Sequence, residues 1–281
     1  MWRAGRDRLA EAGFDTPGLD AQLLAEQALE LSRLDLTLRE REPVSEDAAA
    51  RFASALERRL KGEPVARIVG RKGFYGLDFA LGAETLVPRP ETELLVDLAL
   101  AAVRARDAAR LLDLGTGTGC IAISVLANAS DAKAVATDLS GAALAVARDN
   151  AARIGVGARL ALRQGAWFAA LEPDEMFDVI VSNPPYIAHD DIAGLETEVR
   201  EHDPMMALDG GPDGLDPYRV IVGEGPAHLS PGGLLAVEIG AGQGEDVSAL
   251  FARAGFMRIE VLRDLAGHDR VVRGHRDAAD A

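Results

Sequence analysis

From residue 111 onward, short apolar segments alternate with longer amphipathic segments. The apolar segments predict strands near 110–114, 133–138, 159–164, 177–182, 233–239, 256–262 and 269–274. The amphipathic segments predict helices near 118–128, 141–154, 215–229 and 243–254. Because strands that alternate with helices form a sheet covered on both faces, we predict an α/β fold with a doubly wound, mostly parallel sheet of seven strands. The last two strands leave no room for a helix between them and predict an antiparallel hairpin at one edge.

The chain before this region has a different pattern. Residues 1–72 predict a small helical domain, in which Ser45 is a candidate cap for a helix that ends near Leu60. An earlier helix is expected to bury one face, which is formed by Leu19, Leu23, Leu24, Ala28 and Leu31. Residues 73–87 predict a linking β-hairpin, with an aromatic, partly alternating stretch over 74–81 and a turn at Gly82. Residues 88–281 predict the sheet domain, which is expected to open with a helix over 94–104.

The net charge of −15 is distributed unevenly. Of the 30 Lys/Arg and 45 Asp/Glu residues, 13 of each lie in residues 1–72, so the whole acidic excess belongs to the rest of the chain. That field would repel a polyanion unless a local basic patch overcame it, and no direct contact with nucleic acid is expected. A cationic ligand would not be repelled by this negative charge.

The single cysteine and the apolar pattern indicate the compartment. Cys120 is the only cysteine, so no intrachain disulfide can form and a reducing cytoplasm is the expected location. The first residues lack the apolar core of a signal peptide. Since no run of 18 apolar residues occurs, no membrane span is expected.

A glycine-rich turn follows the first strand of the sheet. The turn is formed by Gly115, Thr116, Gly117, Thr118 and Gly119. Glycines let the backbone turn sharply and let a ligand approach closely, and the free N–H groups of the following helix face the same ligand. Asp138 ends the second strand about 20 positions later, where a carboxylate can take both hydroxyls of a ribose. The spacing differs from the Gly-x-Gly-x-x-Gly of dinucleotide sites. A glycine-rich turn by itself, however, does not exclude a dinucleotide such as NAD as the ligand.

A second motif, Asn183-Pro184-Pro185-Tyr186, follows the strand at 177–182. Open α/β sheets bind their ligands at such strand ends. Pro184 forces Asn183 into an extended conformation, and neither proline can donate to a strand. The Asn183 side-chain oxygen and the Pro184 carbonyl are therefore predicted to accept from a planar NH2 group, with the Tyr186 ring beside it. The plain alternative is a tight turn that only ends the strand.

With both motifs in place, the chain resembles the N5-glutamine methyltransferases that modify class I peptide chain release factors. These are class I S-adenosylmethionine-dependent methyltransferases. The matching segments lie at 86–93, 113–119, 165–168, 181–187, 207–215, 231–233 and 266–272. The Asn-Pro-Pro-Tyr motif is shared with adenine and guanine amino-methyltransferases. The segments at 88–93 and 266–270 are much more specific to the release factor methyltransferases.

The resemblance implies a role for each motif. The loop 115–119 would line the methionine and ribose of S-adenosyl-L-methionine, Asp138 would hold the ribose hydroxyls, and Trp167 would lie against the adenine. Asn183 would contact both the cofactor and the substrate amide. Residues 184–186 would complete the substrate slot, so that Asn183, Pro184 and Tyr186 are the expected catalytic residues. The resemblance implies no metal.

Two residues depart from the family's pattern. Ala166 stands where members often carry an acidic residue, so a polar contact to the adenine amino group would be missing. Gly73 replaces a more usual acidic or polar residue. Neither position touches the reacting centre, so the departures bear on cofactor affinity rather than on the chemistry.

The implied activity is methylation of the glutamine in the Gly-Gly-Gln loop of a class I release factor, which makes that factor a protein partner. Three alternatives stay open. One is a glutamine of another protein, for example a ribosomal protein. Another is the amino group of adenine or guanine in nucleic acid, against which the acidic sheet domain and the lack of a basic insert argue. The last is a binding module without turnover, against which the intact Asn183 slot argues.

Three further segments carry weaker predictions. The run 189–191, His-Asp-Asp, predicts a solvated loop rather than a base or a metal site. The basic run 58–61 predicts a solvated face, with contact to an acidic patch on a protein partner as the alternative. The polar segment 196–206 is a candidate clamp on the substrate loop.

Overall fold

The structure is a computed structural model that describes residues 1–39 and 41–278. The chain divides into two units. The first consists of residues 1–71 and 196–202, and the second contains the rest. The segment 196–202 thus belongs with the N-terminal helices, although it interrupts the region predicted as the sheet domain. Among the described residues, no helix has the length and apolar character that crossing a membrane requires.

The elements are numbered in chain order. The helices are α1 (Trp2–Glu11), α2 (Pro17–Leu29), α3 (Arg33–Leu38), α4 (Glu46–Leu60), α5 (Val65–Val69), α6 (Glu93–Arg104), α7 (Cys120–Asn128), α8 (Gly141–Ile154), α9 (Thr197–Arg200), α10 (Asp216–His228) and α11 (Gly244–Arg253). The strands are β1 (Arg71–Phe74), β2 (Leu77–Ala80), β3 (Arg110–Leu114), β4 (Lys133–Asp138), β5 (Leu160–Gln164), β6 (Phe177–Ser182), β7 (Leu229–Glu238), β8 (Met257–Arg263) and β9 (Asp269–His275).

The first unit has its own small core. Leu9, Leu24, Phe52 and Leu56 are buried together where α1, α2 and α4 meet. The predicted cap of α4 is confirmed, since the Ser45 hydroxyl accepts from the Ala48 N–H at 3.2 Å. The inward position predicted for Leu19 is wrong, because this side chain is exposed. The buried stripe of α2 instead includes Asp20, Ala21, Leu24, Ala25 and Ala28.

Asp20 is buried because it pairs with Arg59. The Arg59 guanidinium lies 2.7 Å from the Asp20 carboxylate and 2.5 Å from that of Glu198, and it stacks over the Phe14 ring at 4.2 Å. A buried charge needs such partners, and removing one is costly. The prediction of a solvated basic face is therefore wrong for Arg59. The Glu198 contact also explains why 196–202 belongs to this unit.

The large sheet has the strand order β5-β4-β3-β6-β7-β9-β8. The first five strands are parallel, whereas β9 pairs antiparallel with β7 and β8 pairs antiparallel with β9. The predicted seven-stranded, mostly parallel sheet with an antiparallel edge pair is confirmed. β7 begins four residues before its predicted start, and its pairing with β6 shifts register between Phe177 and Val179.

Alternate residues of the central strands enter two different cores. Leu111 on β3 packs with α6 and α7, whereas its neighbour Leu112 packs with α10 and α11. This period of two follows from the geometry of a strand. Both faces of the sheet are therefore covered, as in a doubly wound fold.

The linking hairpin is shorter than predicted. Tyr75 and Gly76 both have positive φ, 51° and 72°, and they reverse the chain between β1 and β2. Two consecutive left-handed residues make a tight hairpin turn whose twist matches the strands. The hairpin therefore covers 71–80 rather than the predicted 73–87, and the turn at Gly82 is a separate one that closes at Thr85.

Candidate active site

A cleft opens where the strand order of the large sheet changes direction. β3 pairs with β4 on one side and with β6 on the other, and open α/β sheets bind ligands at this position. The cleft is lined by residues from the loops that follow β3, β4, β5 and β6 and from the segments 84–92 and 204–207. It holds about 1080 Å³, including its open mouth. The two motifs singled out in the sequence therefore meet in one cleft.

The glycine loop is held in a conformation that glycine permits. Gly115, Gly117 and Gly119 have φ values of 70°, 55° and 81°, a region that other residues enter at a cost. The Gly115 and Thr116 N–H groups donate to the Thr137 carbonyl at 2.9 and 3.0 Å. A Cβ on Gly119 would lie 2.6 Å from the Ile123 side chain. The loop is therefore fixed against β4 and the start of α7.

A buried carboxylate supports this loop from behind. Asp113, which is fully buried on β3, accepts from the Thr116 hydroxyl at 2.6 Å and from the Ala122 N–H at 3.2 Å. Burial raises the pKa of its carboxyl to about 6. The sequence signal for this role was an aspartate in an otherwise apolar strand, and its two partners were not predicted.

Asp138 occupies the position that the sequence predicted for a ribose contact. One carboxylate oxygen accepts from the Gly117 N–H and the other from the Ser140 N–H, both at 2.8 Å. Burial raises the pKa of this carboxyl, and the two backbone donors oppose that shift. Each oxygen keeps further acceptor capacity. Two hydroxyl groups side by side in the cleft can therefore still donate to Asp138.

Trp167 forms an apolar wall of the cleft. Its φ of 48° is unusual for a bulky residue, and the Thr137 hydroxyl donates to its carbonyl at 3.1 Å. The ring lies close enough to Gly115 that a Cβ there would be 3.5 Å from it. Leu139, which is 56% exposed, and Ala166 also line the cleft. A flat aromatic ligand fits these surfaces, and Ala166 offers it only a methyl group.

The Asn183 side chain has a defined orientation. Its amide nitrogen donates to the Thr92 hydroxyl at 3.2 Å. This bond turns the nitrogen toward Thr92 and leaves Oδ1 on the opposite side of the amide to accept from a ligand. Thr92 is 2% exposed. Its contact with Asn183 was missed because nothing local in either segment indicates it.

The other residues of the motif divide between the cleft and the core. Pro185 lines the cleft beside Asn183. Pro184 is buried, and the Tyr186 ring packs against the core that contains Tyr218. Burial raises the pKa of the Tyr186 phenol. Tyr186 was predicted to offer its ring beside the ligand; the structure packs one side of this ring against the core, and its contact with a ligand stays a prediction.

The segment 207–215 supports the Asn-Pro-Pro-Tyr motif from one side. The Ile187 N–H donates to the Leu208 carbonyl at 3.0 Å, and the Gly210 N–H donates to the Ile187 carbonyl at 2.9 Å. Gly214 lies against the Tyr186 carbonyl, with no room for a side chain. The sequence showed this segment only as part of the family resemblance, and the structure shows what it contacts.

Residues 189–191 begin a short 3-10 helix, His189–Gly194, and His189 makes an exposed side-chain contact. His189 Nδ1 lies 2.8 Å from the Asp209 carboxylate, and this contact raises the pKa of the imidazole. Within residues 1–39 and 41–278, no three His, Cys, Asp or Glu side chains are grouped so that they could hold a metal ion. Pro204 and Met206, from the predicted clamp, line the cleft.

The sheet order and the cleft define a doubly wound α/β protein with a ligand site at its strand ends, and the comparisons identify it as a methyltransferase of the Rossmann-like α/β class. Residues 91–199 match the family model described as the methyltransferase small domain, and residues 1–70 match the PrmC N-terminal domain. A solved methyltransferase from Pyrococcus furiosus shares the fold, with a TM-score of 0.53 and 18% identity over 80% of this chain and all of that one.

Sequence relatives define the family more narrowly. The release factor glutamine methyltransferase of Cereibacter sphaeroides is 50% identical over 99% of this chain and 98% of its own length. The release factor glutamine methyltransferase of Agrobacterium fabrum is 46% identical over 96% of this chain and 94% of its own length. The chain belongs to the release factor glutamine methyltransferase family, and the resemblance seen in the motifs is confirmed.

Proposed function

We propose that this protein transfers a methyl group from S-adenosyl-L-methionine to the glutamine side-chain nitrogen in the Gly-Gly-Gln loop of class I release factors. The observation that carries the proposal is the fixed Asn183 amide, whose nitrogen is engaged by Thr92 and whose oxygen is left to accept. It lines the same cleft as the glycine loop and Asp138. The family of its relatives agrees with this activity.

The residues of the cleft fit the proposed cofactor. The backbone of 115–119 would hold the methionine part, Asp138 would accept from the ribose hydroxyls, and Trp167 with Leu139 would cover the adenine. The acidic field of the sheet unit suits a sulfonium cation. The cofactor supplies an electrophilic methyl group when it is bound.

The chemistry asked of the protein is to hold an amide nitrogen in position. An amide nitrogen is a poor nucleophile because its lone pair is delocalised into the carbonyl. Asn183 Oδ1 and the Pro184 carbonyl would accept its two hydrogens and aim the nitrogen at the methyl carbon. The same two oxygens would stabilise the positive charge that grows on the nitrogen. Most of the acceleration would come from this alignment, and the acidic product cation can lose its proton to water.

The substrate must reach Asn183 on an extended loop. A glutamine in a folded helix or strand could not enter the slot, so the partner presents a protruding Gly-Gly-Gln segment. We therefore propose a class I release factor as the protein substrate. Translation termination takes place in the cytoplasm, and we propose that the protein acts there.

Incubation with radiolabelled S-adenosyl-L-methionine and a release factor tests the proposal. Label should enter the factor and should be lost when the glutamine of its Gly-Gly-Gln loop is changed to asparagine, which keeps the amide but shortens its reach. A ribosomal protein, ribosomal RNA and DNA serve as competing acceptors. Label on any of these and not on the release factor would contradict the proposal.

A further inference from the structure

A chain of contacts leads away from the Asn183 amide on one side of the cleft. Thr92, which accepts from this amide, ends a short 3-10 helix, Pro90–Thr92, and its N–H donates to the Arg89 carbonyl at 3.1 Å. The Arg89 guanidinium in turn donates from Nη2 to the Asp203 carboxylate at 2.6 Å. One tight turn therefore links Asn183 to a segment that lies 114 residues beyond Arg89.

The segment that starts at Asp203 returns to the Asn-Pro-Pro-Tyr motif. It forms a tight turn, in which the Ala207 N–H donates to the Pro204 carbonyl at 2.8 Å. The Leu208 carbonyl then accepts from the Ile187 N–H at 3.0 Å. Because Ile187 directly follows the motif, the contacts close into a ring that starts and ends at the two ends of a proline-stiffened segment. This ring, the slot frame, runs through Asn183, Thr92, Arg89, Asp203, Leu208 and Ile187.

The contact between Arg89 and Asp203 is the strongest link of the slot frame. The side chain of Asp203 is 1% exposed, whereas that of Arg89 is 40% exposed. A carboxylate buried to this degree needs a cation close by, and losing that cation is costly. The other two links between separate segments are neutral hydrogen bonds, which are roughly half as strong as charged ones. The ion pair therefore holds the segment 203–208 in place.

The slot frame borders the part of the cleft where the substrate is expected. Arg89, Thr92, Asn183, Pro204, Met206 and Ala207 all line the cleft. The proposed donor contacts come from the loops after β3, β4 and β5, which do not belong to the frame. A change in the frame should therefore affect how a glutamine reaches Asn183 more than how the donor binds.

We propose that Arg89 and Asp203 are positioning residues that close the slot frame and so fix the opening through which the substrate glutamine reaches Asn183. The inference rests on the proposed function, because it takes a glutamine of a protein as the substrate. It adds to that function a pair of charged residues that act through the segment 203–208. Neither side chain has to touch the glutamine.

Four variants test the ion pair. Arg89→Met removes the charge and keeps much of the apolar stem, Arg89→Lys keeps the charge, and Asp203→Asn keeps the shape of the acid. The fourth combines Arg89→Met with Asp203→Asn. The matched control is Arg106→Met, since Arg106 is 33% exposed and donates to Asp178 at 2.7 Å outside the cleft lining. Steady-state methylation of a release factor, calorimetric donor affinity and thermal melting are measured for every variant.

We expect Arg89→Met and Asp203→Asn to lower kcat/KM for the factor at least about tenfold, the effect of losing one hydrogen bond between charged groups. The loss should lie mainly in the KM for the factor, and donor affinity should stay within about threefold of the parent. Arg89→Lys should also stay within about threefold in kcat/KM. The double variant should be no slower than the slower single variant, because the two residues act as one pair.

Hydrogen exchange gives a readout that needs no substrate. The Ala207, Leu208 and Ile187 N–H groups are hydrogen-bonded in the slot frame and should be protected. Arg89→Met should speed exchange of the segment 203–208 at least about tenfold, whereas Arg89→Lys and Arg106→Met should not. If Asp203→Asn proves too unstable to assay, the two Arg89 variants decide alone.

Three results would overturn the slot frame while the parent still methylates the factor. The first is an Arg89→Met variant as active as Arg89→Lys, and the second is a double variant whose loss equals the product of the two single losses. The third is a loss of donor affinity in Arg89→Met that Asp203→Asn does not share, which would make Arg89 a ligand of the donor carboxylate. A parent that transfers no methyl to the factor would instead remove the proposed function, and with it the role of the frame toward a substrate.

Discussion

The side-chain amide of Gln243 donates a 2.9 Å hydrogen bond to the carbonyl oxygen of Tyr186. The same amide donates to the Gly214 carbonyl at 3.2 Å and accepts from the Gly240 N–H at 2.9 Å. Tyr186 is thus fixed by residues that follow it by many positions in the sequence. The two prolines stiffen the Asn-Pro-Pro-Tyr motif, and this network sets where the stiff segment lies.

Gly214→Ala should disturb that placement. Gly214 has a φ of 73°, and an added Cβ would contact the Tyr186 carbonyl and lie 2.8 Å from the Gln243 amide nitrogen. We expect a loss of about 1–3 kcal/mol in the free energy of unfolding and a roughly tenfold slower single turnover. Urea unfolding and rapid-quench methylation measure the two effects.

Gly223→Ala is the matched control for this substitution. Gly223 lies inside α10 with open space around its Cβ position, so alanine should stabilise the helix by about 0.5–1 kcal/mol. Equal activity and stability of the two alanine variants would contradict the support assigned to Gly214.

Asn183→Ala should slow methyl transfer by about 10²-fold or more, by analogy with the loss of one group that stabilises transition-state charge. Donor affinity should change less, because the glycine loop and Asp138 remain. Single-turnover rates and calorimetric titration separate the two effects. Asn128→Ala, at the end of α7, is the control for removal of an asparagine outside the cleft lining. A rate for Asn183→Ala within a few-fold of the parent would refute the two-acceptor account.

Asp138→Ala should weaken donor binding by about 10- to 100-fold, since it removes the proposed ribose contact and the acceptor that fixes Gly117 and Ser140. Calorimetry of donor binding measures this loss. Asp149→Ala removes the same charge from an exposed position on α8 and should leave affinity unchanged. Unchanged affinity in Asp138→Ala would mean that the ribose lies elsewhere.

Trp167 provides an optical signal for donor binding. The chain contains only Trp2 and Trp167, so in a Trp2→Phe variant all tryptophan emission comes from the cleft. Adding S-adenosyl-L-methionine should change that emission, and Trp167→Leu should weaken binding by about tenfold through lost stacking. Emission that stays constant at saturating donor would place the adenine away from Trp167.

Glu238 makes the stability of the fold depend on pH. Its pKa rises from an ordinary value of 4.5 to about 7 in the folded protein, so its contribution is fully present below pH 4.5 and is lost as the pH rises through 7. The stability of Glu238→Gln relative to the parent should therefore increase by on the order of 3 kcal/mol between those two pH values. Urea unfolding at several pH values measures this difference. A difference independent of pH would show that Glu238 titrates normally.

The sequence predicted the architecture well where the pattern is local. Apolar segments such as 177–182 indicated the strands, and Ser45 indicated a helix start. The prediction failed where long-range pairing decides burial. Leu19 seemed the natural inward residue, but the buried position belongs to Asp20, whose partner Arg59 lies 39 residues away. No periodicity of apolar residues can reveal such a pair.

The same distinction applies to the cleft. The glycine loop, Asp138 and Asn183 each follow a strand in a recognisable motif, and the parallel sheet brings strand ends together. Thr92 contacts Asn183 across 91 residues. In the sequence Thr92 looks like part of a helix start, and only the fold shows that it meets Asn183.

The most direct measurement is a crystal structure of the protein with S-adenosyl-L-methionine and a peptide that contains Gly-Gly-Gln. The account predicts that the glutamine nitrogen lies within hydrogen-bond distance of both Asn183 Oδ1 and the Pro184 carbonyl, with the donor methyl directed at it. A donor whose methyl group points away from these two oxygens, or a glutamine bound outside the slot, would contradict the account.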